Sequence, residues 1–181
     1  MLYYPITLNN LEYLRKDILE LASTRISLTQ QAFTYGLGVD FFLSCDSLKQ
    51  ELVRLDLLKH VHNIGISVVT NITFPIHTDS DIYTYSLNIP LSGYENTFIS
   101  HYKPKDNASS KTITAKGGFI YTTYEKEDCD LIQKTETILP ALVNTHVPHS
   151  FENQNSIPRI LIMIRFKNET FNYQQFIDTL K

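Results

Sequence analysis

The first third of the chain carries apolar residues at helical spacing. Between residues 9 and 25 they fall three or four positions apart, at Leu11, Leu14, Ile18 and Leu21. This spacing lines one face of an α-helix, and Asn9 or Asn10 can serve as its N-cap. The pattern predicts an amphipathic helix over about residues 9–25.

A second leucine stripe follows, at Leu48, Leu52, Leu55 and Leu58. It predicts a helix from Ser47 to His62, capped by Asp46 or Ser47 and ended by Gly65. Residues 27–42 hold Gly36 and Gly38 and show no clear period.

After Gly65 the pattern changes to short β-branched and aromatic runs separated by turn residues, which is typical of strands. We predict strands near residues 66–70, 72–78, 82–91, 97–102, 117–124, 137–145 and 159–167. Residues 103–116 are polar and predict an exposed, mobile loop, and residues 125–137 form a second polar interruption. Helices followed by strands predict an α+β domain, mainly β, whose sheets form a sandwich or a distorted barrel.

The composition fits this interpretation and limits the function. The chain has 181 residues, enough for one domain, with 11 Tyr, 10 Phe and no Trp. Its formal net charge is −3, so nucleic acid is an unlikely partner on electrostatic grounds. Lys103, Lys105, Lys111 and Lys116 make one loop locally basic, and we interpret that loop as solvated.

The same reasoning predicts a soluble, cytoplasmic protein with no membrane partner. Its two cysteines, Cys45 and Cys129, are too few for a disulfide framework and are expected to be free thiols. The N-terminus lacks the basic and apolar regions of a signal peptide, and no apolar run is long enough to span a bilayer.

The segment around His77 and Asp79 carries the candidate chemistry. Side chains alternate along a strand, so His77 and Asp79 project to the same side and can bind one ion. The alternative is an exposed strand end at which Asp79 caps the turn at Ser80 and Asp81.

A third ligand comes from His149 or His146. We favour His149, because it follows Pro148 in a turn-like run and lies ten residues before Arg159. The result is a set of two histidines and one carboxylate, which favours ferrous iron over zinc because no cysteine is near. His60 and His62 are predicted to be structural residues at a helix end, and His101 to lie at a pocket rim.

The strand from Arg159 to Phe166 places two arginines, Arg159 and Arg165, on one face. A guanidinium is costly to bury unpaired, but it binds a carboxylate through two parallel hydrogen bonds. An inward Arg159 therefore indicates an anionic cosubstrate. The alternative is that both arginines reach solvent or a structural carboxylate.

Residues 64–167 resemble the Fe(II)- and 2-oxoglutarate-dependent oxygenases, in particular small prolyl-hydroxylase-like members found in bacteria and phages. The resemblance rests on His77-Thr78-Asp79, on the runs Tyr85–Leu91 and Gly93–Thr97, and on Pro148-His149-Ser150 with Arg159. It implies a double-stranded β-helix, also called a cupin-like jelly roll, with N-terminal helices packed on the larger sheet. One oxygenase domain would comprise helical support (1–64), the β core (65–167) and a C-terminal tail (168–181).

The resemblance further implies a metal site of His77, Asp79 and His149, with Arg159 holding the far carboxylate of 2-oxoglutarate. Many relatives have Ser or Thr two residues after this arginine, where this chain has Leu161. A hydroxyl from Ser86, Tyr83 or Tyr85 would have to substitute, and Asn88 and Arg165 are further candidates for cosubstrate contacts. Asp81 is a spare carboxylate that can orient a ligand.

An arginine pair like Arg159 and Arg165 also appears in nucleic-acid demethylases of this superfamily, although the Asn and Thr between the arginines there are Leu161 and Met163 here. We expect an enzyme that uses Fe(II), 2-oxoglutarate and molecular oxygen to hydroxylate a C–H bond of a small-molecule or peptide substrate, with an amino acid as the leading candidate. The alternatives are oxidative demethylation of a nucleobase and a non-catalytic cupin-like binding module.

Overall fold

Two antiparallel β-sheets form the body of the protein, and helices cover one of them. The computed structural model describes residues 1–28, 33–79, 84–114, 120–167 and 169–180. The described helices are α1 (Leu11–Ser23), α2 (Val39–Leu43), α3 (Asp46–Arg54) and α4 (Tyr173–Thr179), with 3-10 turns at Leu58–His60 and Lys126–Asp128. The described strands are β1 (Tyr3–Pro5), β2 (Phe33–Tyr35), β3 (Val61–Val69), β4 (Ile72–Thr73), β5 (Ile76–Thr78), β6 (Tyr85–Ser92), β7 (Thr97–Pro104), β8 (Ser110–Thr114), β9 (Ile120–Tyr124), β10 (Cys129–Glu136), β11 (Ala141–Asn144), β12 (His149–Asn153) and β13 (Arg159–Phe166).

The six-stranded sheet has the order β1-β11-β6-β13-β3-β2. The seven-stranded sheet has the order β10-β7-β12-β5-β9-β8, with β4 paired to β12. The expectation of a mainly-β protein with two sheets and a few helices is confirmed.

The apolar core lies between the helices and the six-stranded sheet. Alternate residues of β13 face it, namely Ile160, Ile162, Ile164 and Phe166, together with Leu14 and Ile18 of α1 and Leu48 and Leu52 of α3. The other face of β13 points toward the seven-stranded sheet, because Arg159 stacks on Phe151 of β12 and Arg165 pairs with Asp79 beyond β5. The side chains of Arg159 and Arg165 therefore lie between the two sheets.

The helix predictions are correct in place and partly wrong in extent. Helix α1 matches the first leucine stripe, but Asn10 at its N-cap adopts a left-handed conformation (φ 47°) and makes no capping hydrogen bond through its side chain. Helix α3 ends at Arg54, and β3 begins at Val61 and continues through Gly65. Asp56 has a φ of 56°, which ends the helix well before the predicted His62 and Gly65.

Most predicted strands are present, but several others were missed. The predicted strand 72–78 is two strands, β4 and β5. Strand β8 falls inside the predicted loop 103–116, and β10 falls inside the predicted polar interruption 125–137. Asp81 and Tyr83, as well as Lys116, lie outside the described residues.

The helices cover the six-stranded sheet: α1 contacts β6 and α2 contacts β3. The prediction that they pack on the sheet with more strands is wrong. The predicted C-terminal tail contributes Phe171, Phe176 and Ile177 to the same apolar cluster. Within the described ranges, none of the helices has both the length and the apolar character needed to cross a membrane.

Candidate metal centre

Strand β5 presents His77, and Asp79 follows directly after its end. The backbone N–H of Asp79 donates to the carbonyl of Thr145 at 2.9 Å, which ties this strand end to the chain leading into β12. The Nδ1 atom of His77 lies 2.9 Å from the carbonyl oxygen of Pro75. This contact indicates that Nδ1 carries the proton, which leaves Nε2 with a lone pair for a metal.

His149 opens β12 and is paired directly with His77 across the strands. Paired residues of neighbouring antiparallel strands project to the same face, and the two ring centroids are 4.5 Å apart. The Nδ1 atom of His149 lies 3.0 Å from the carbonyl oxygen of Val147. In each histidine, Nδ1 therefore contacts the backbone carbonyl two residues earlier, which leaves Nε2 available.

His77, Asp79 and His149 together form a candidate metal centre. One ligand atom from each lies within 4.8 Å of the others. His149 and Asp79 are buried and His77 is partly buried. The choice of His149 over His146 agrees with this geometry, because His146 is exposed and is not part of the group.

The Asp79 carboxylate is held between an imidazole and a guanidinium. Its Oδ1 lies 3.8 Å from Nε2 of His77, and its Oδ2 lies 3.4 Å from Nε of Arg165. Asp79 is 7% exposed. Arg165 compensates the buried negative charge and fixes which oxygen faces the imidazoles.

The donor set fits a divalent transition metal. Two neutral imidazoles and one carboxylate on one side of an ion leave coordination positions open for other ligands. Burial is the main cause that lowers the pKa of His149 to about 3, and the neighbouring His77 adds to this effect. His149 is therefore neutral at pH 7, as a metal ligand must be.

Arg159 is also buried between the sheets, outside the candidate metal centre. It is 2% exposed, and its guanidinium carbon lies 3.7 Å from the centroid of the Phe151 ring. Its Nη2 donates to Oγ1 of Thr137 at 3.1 Å, and its Nε has no hydrogen-bond partner among the residues that the structure describes. Buried arginines are normally paired with a carboxylate, and Arg159 has no such pair among the described residues.

Burial lowers the pKa of Arg159 to about 9, and Tyr3 acts in the opposite direction. Burial also raises the pKa of Tyr3 to about 12, and Arg159 opposes that shift. The N-terminal strand thus brings a phenol close to the buried guanidinium. Phe151 lies two residues after His149 on β12, which places the stacked guanidinium about 7 Å along the strand from the metal ligand.

The three candidates on β6 are divided between its two faces. Ser86 and Asn88 lie opposite Arg165 and Met163 of β13, and the Ser86 hydroxyl donates to Oδ1 of Asn88 at 2.7 Å. Tyr85 lies on the other face, where its ring stacks on Tyr173 with centroids 4.3 Å apart. The sheet therefore separates Tyr85 from the metal centre, whereas Ser86 and Asn88 are on its side.

His101 is fully buried beside His149, whereas the sequence suggested a pocket rim. It lies on β7 directly opposite His149, with ring centroids 6.1 Å apart. Burial lowers its pKa to about 4, and a contact with the backbone of Asn144 opposes this. Neither ring nitrogen has a hydrogen-bond partner in good geometry among the described residues.

His60 and His62 lie apart from the centre. His60 packs edge-on against Phe171, and burial lowers its pKa. His62 is exposed on β3. Neither belongs to the metal-ligating group found among the described residues.

Sequence reasoning missed Phe151, Thr137, Tyr3 and Tyr121. The ring of Tyr121 on β9 packs edge-on against His77 with centroids 5.9 Å apart. Phe151, Tyr3 and Tyr121 come from three different strands and Thr137 from the chain after β10, and the four have no shared motif. Only the alternation along β12 offers a signal, since it places Phe151 on the face of His149.

Comparisons with known proteins add little. No protein-family model matches the sequence, and no curated protein matches it. Among solved structures, similar chains include CapF with an inhibitor, 3-isopropenyl-tropolone, at 14% identity and a TM-score of 0.25, over 64% of this chain and 27% of that chain. The capsular polysaccharide assembling protein CapF from Staphylococcus aureus is similar at 12% identity and a TM-score of 0.25, over 64% of this chain and 25% of that chain.

In a second crystal form of the Staphylococcus aureus protein, the alignment covers 95% of this chain and 68% of that chain, at 10% identity and a TM-score of 0.25. The aligned region thus spans about a quarter of the first two CapF chains. Similarity at this level carries no argument about fold or function.

Proposed function

We propose that the protein is an Fe(II)- and 2-oxoglutarate-dependent dioxygenase that hydroxylates a C–H bond of a free or peptidyl amino acid. The observation that carries the proposal is that the region between the two sheets contains both the His77-Asp79-His149 group and a buried arginine, Arg159, which has no carboxylate partner among the described residues. The first can bind a metal, and the second can bind an anion. A cosubstrate with a metal-chelating end and a distal carboxylate meets both requirements.

The strand order supports a double-stranded β-helix as the finer description of the fold. Eight strands alternate between the sheets in the sequence β3, β5, β6, β7, β10, β11, β12, β13, with only β7 and β10 adjacent in one sheet. They form two four-stranded sets, β11-β6-β13-β3 and β10-β7-β12-β5. This alternation is that of a jelly roll. Strands β1, β2, β8 and β9 extend its edges, and β4 pairs with β12 next to β5.

The side chains of this chain have distinct roles under the proposal. His77, Asp79 and His149 would hold the metal, and Arg165 orients Asp79. Arg159 would bind the distal carboxylate of 2-oxoglutarate, and Thr137 orients its guanidinium through the 3.1 Å hydrogen bond.

Bound iron and 2-oxoglutarate would supply the oxidising chemistry, in which oxygen converts the cosubstrate to succinate and carbon dioxide while the substrate C–H bond becomes C–OH. The protein contributes binding, orientation and the exclusion of water. Burial between the two sheets strengthens the pairing of Arg159 with a carboxylate, because the local dielectric constant is low.

A metal titration with matched histidine variants tests the centre. His149→Ala should bind Fe²⁺ or Mn²⁺ under anaerobic conditions at least tenfold more weakly, because one of three protein ligands is lost. His146→Ala removes an exposed imidazole three residues away and should bind as the wild type does. Equal affinity in His149→Ala and the wild type would refute the assignment.

Turnover tests the cosubstrate. The wild type should produce succinate from 2-oxoglutarate in a manner that depends on iron and oxygen, and a screen of amino acids and peptides should find substrates that stimulate it. Arg159→Met should weaken 2-oxoglutarate binding by roughly 10- to 100-fold, the effect of one charge-assisted contact. Lys16→Met, which removes an exposed ion pair with Glu20, is the control.

The alternative is a non-catalytic metal-binding module. It would be favoured if the iron-loaded protein binds metal normally but forms no succinate with any of the substrates tested. Nucleobase demethylation would appear in the same assay as stimulation by a methylated oligonucleotide instead of an amino acid.

A further inference from the structure

The inner face of the six-stranded sheet is closed at one end and open at the other. Arg159 and Leu161, which face inward from β13, are buried. Met163 and Arg165 follow on the same face and are partly exposed, as is Asn63, the residue opposite Arg165 on β3. Arg165 is the residue that pairs with the carboxylate of the candidate metal centre. Solvent therefore reaches this face at the end where the metal centre lies.

Asn88 of β6 lies on the open part of this face. It is directly opposite Met163 of β13, and residues paired in this way project to the same side of a sheet. Because Ser86 is opposite Arg165, Asn88 is the diagonal neighbour of Arg165, at roughly 7–8 Å between Cα atoms. Asn88 is itself partly exposed, so a ligand that enters at this end can reach its side chain.

The carboxamide of Asn88 is held in one orientation. The hydroxyl of Ser86, which is 2% exposed, donates to its Oδ1 at 2.7 Å. The other side chains next to it on this face are Met163, Ala141 and Pro90, which have no side-chain oxygen or nitrogen. Ser86 therefore occupies the acceptor end of the carboxamide, and the Nδ2 donors have no partner among the described residues.

An oriented amide donor near the metal centre suits an oxygen acceptor of a substrate. An amino acid carries such an oxygen close to its C–H bonds, in the carboxylate of the free acid or in the amide carbonyl of a peptide. Met163 lies beside Asn88 and adds a flexible apolar contact for the rest of the substrate. The sequence suggested Asn88 as a contact for the cosubstrate, but its place at the open end favours the molecule that binds last.

We propose that Asn88 is a substrate-binding residue, and that its Nδ2 donates a hydrogen bond to the carboxylate or amide carbonyl oxygen of an amino-acid substrate. This inference rests on the proposed function. It assigns the two organic ligands to opposite ends of the inner face: Arg159 binds the distal carboxylate of 2-oxoglutarate at the closed end, and Asn88 binds the substrate at the open end.

Separate constants for substrate and cosubstrate test this assignment. The probes are free amino acids and their N-acetyl amides, screened for stimulation of succinate formation by the iron-loaded protein. For the best probe, Asn88→Asp should lower kcat/KM by about tenfold or more, because a carboxylate cannot donate the hydrogen bond and repels the oxygen of the probe. The Kd of 2-oxoglutarate, from calorimetry of manganese-loaded protein, should stay within about threefold of the wild-type value.

The form of the best probe identifies the acceptor. Stimulation by N-acetyl amides assigns it as an amide carbonyl. Stimulation by free amino acids alone assigns it as the α-carboxylate, and Asn88→Asp should then have its largest effect, since two negative charges face each other.

Matched variants separate binding from general effects. Ser86→Ala removes the hydrogen bond that orients the carboxamide and should lower kcat/KM for the best probe less than Asn88→Asp does, with the Kd of 2-oxoglutarate again unchanged. Asn71→Asp makes the same chemical change at an exposed position between β3 and β4 and should behave as the wild type does.

The two proposals fail in different ways. If iron-loaded wild type forms no succinate with any probe, the proposed function is wrong and this inference falls with it. If the wild type is active and Asn88→Asp has the same kcat/KM, or loses affinity for 2-oxoglutarate to the same extent, Asn88 does not act on the substrate. Should Asn88→Asp not fold, the side-chain ¹H and ¹⁵N resonances of Asn88 in zinc-loaded wild type with 2-oxoglutarate decide. The best probe must shift them, and unchanged resonances would overturn the assignment.

Discussion

Asp79 is constrained from two sides, and the physical role of Arg165 follows from that. One carboxylate oxygen faces His77 and the other lies 3.4 Å from the Arg165 guanidinium. A carboxylate with only 7% exposure has lost most of its hydration, and a neighbouring positive charge restores part of that stabilisation. Arg165 therefore orients the carboxylate and offsets part of the hydration that it has lost.

Arg165→Met should weaken metal binding by about tenfold or more, since outer-shell partners of metal ligands have effects of about 10- to 100-fold. Arg165→Lys keeps the charge but not the planar guanidinium, so its metal affinity should lie between those of the wild type and Arg165→Met. Lys167→Met, an exposed position two residues later, is the control. The measurement is an Mn²⁺ titration, and unchanged affinity in Arg165→Met would show that Asp79 is oriented without this contact.

At the residue scale, the sequence predicts which residues share a face of a strand, because side chains alternate along it. It places His77 with Asp79, and Arg159 with Arg165, because residues two apart share a face. Thr137, Tyr3 and His101 could not be assigned in this way. Their positions depend on how two sheets approach each other, and no local period encodes a contact between residues separated by 22 positions, such as Arg159 and Thr137.

At the element scale, the turn between β6 and β7 controls where β13 begins. Gly93 in this turn has a φ of +60°, and a Cβ atom there would collide with the backbone carbonyl of Pro158 and crowd the Cα of Arg159. Only glycine permits both the left-handed conformation and the close approach. The turn thus sets the position of the backbone that carries the buried arginine.

Gly93→Ala should lower the free energy of unfolding by about 1–3 kcal/mol, because the three atoms nearest the added Cβ are all backbone atoms and must shift. Gly36→Ala is a matched control, because a Cβ there meets nothing within 4 Å. Urea denaturation gives both values. If Gly93→Ala and Gly36→Ala have equal midpoints, the two loops approach each other less closely than the structure indicates.

Element boundaries show why the sequence prediction of the second helix failed. Leu55 and Leu58 continue the stripe begun by Leu48, so the helical period persists past Arg54, where α3 ends. The chain turns at Asp56, so Leu55 and Leu57 are buried without a continuing helix. Strand β10 was missed because much of it is exposed, which leaves no apolar alternation to detect.

At the scale of the whole molecule, the two sheets contribute different residues to the interior. The six-stranded sheet turns its apolar face to the helices and its arginines inward, while the seven-stranded sheet presents His77, His149 and His101. The order of elements predicted the two sheets, whereas the family resemblance implied the covering helices and placed them on the wrong sheet. The sequence does not distinguish the two sheets, because both have apolar residues on their strands.

Burying histidines between the sheets makes the stability of the metal-free protein depend on pH. Burial lowers the pKa of His101 from 6.5 to about 4 and that of His149 from 6.5 to about 3. Below pH 6.5 the unfolded chain binds protons that the folded protein does not accept. Acid therefore favours the unfolded state across this range.

We expect the free energy of unfolding, measured by urea denaturation with a chelator present, to be highest above pH 6.5 and to fall progressively as the pH is lowered toward 4. His101→Phe should flatten this dependence, because one of the two buried imidazoles can no longer take up a proton on unfolding. A stability that is constant between pH 6.5 and 4 would mean that both rings are hydrated in the folded protein, and the site would then be open instead of enclosed by the two sheets.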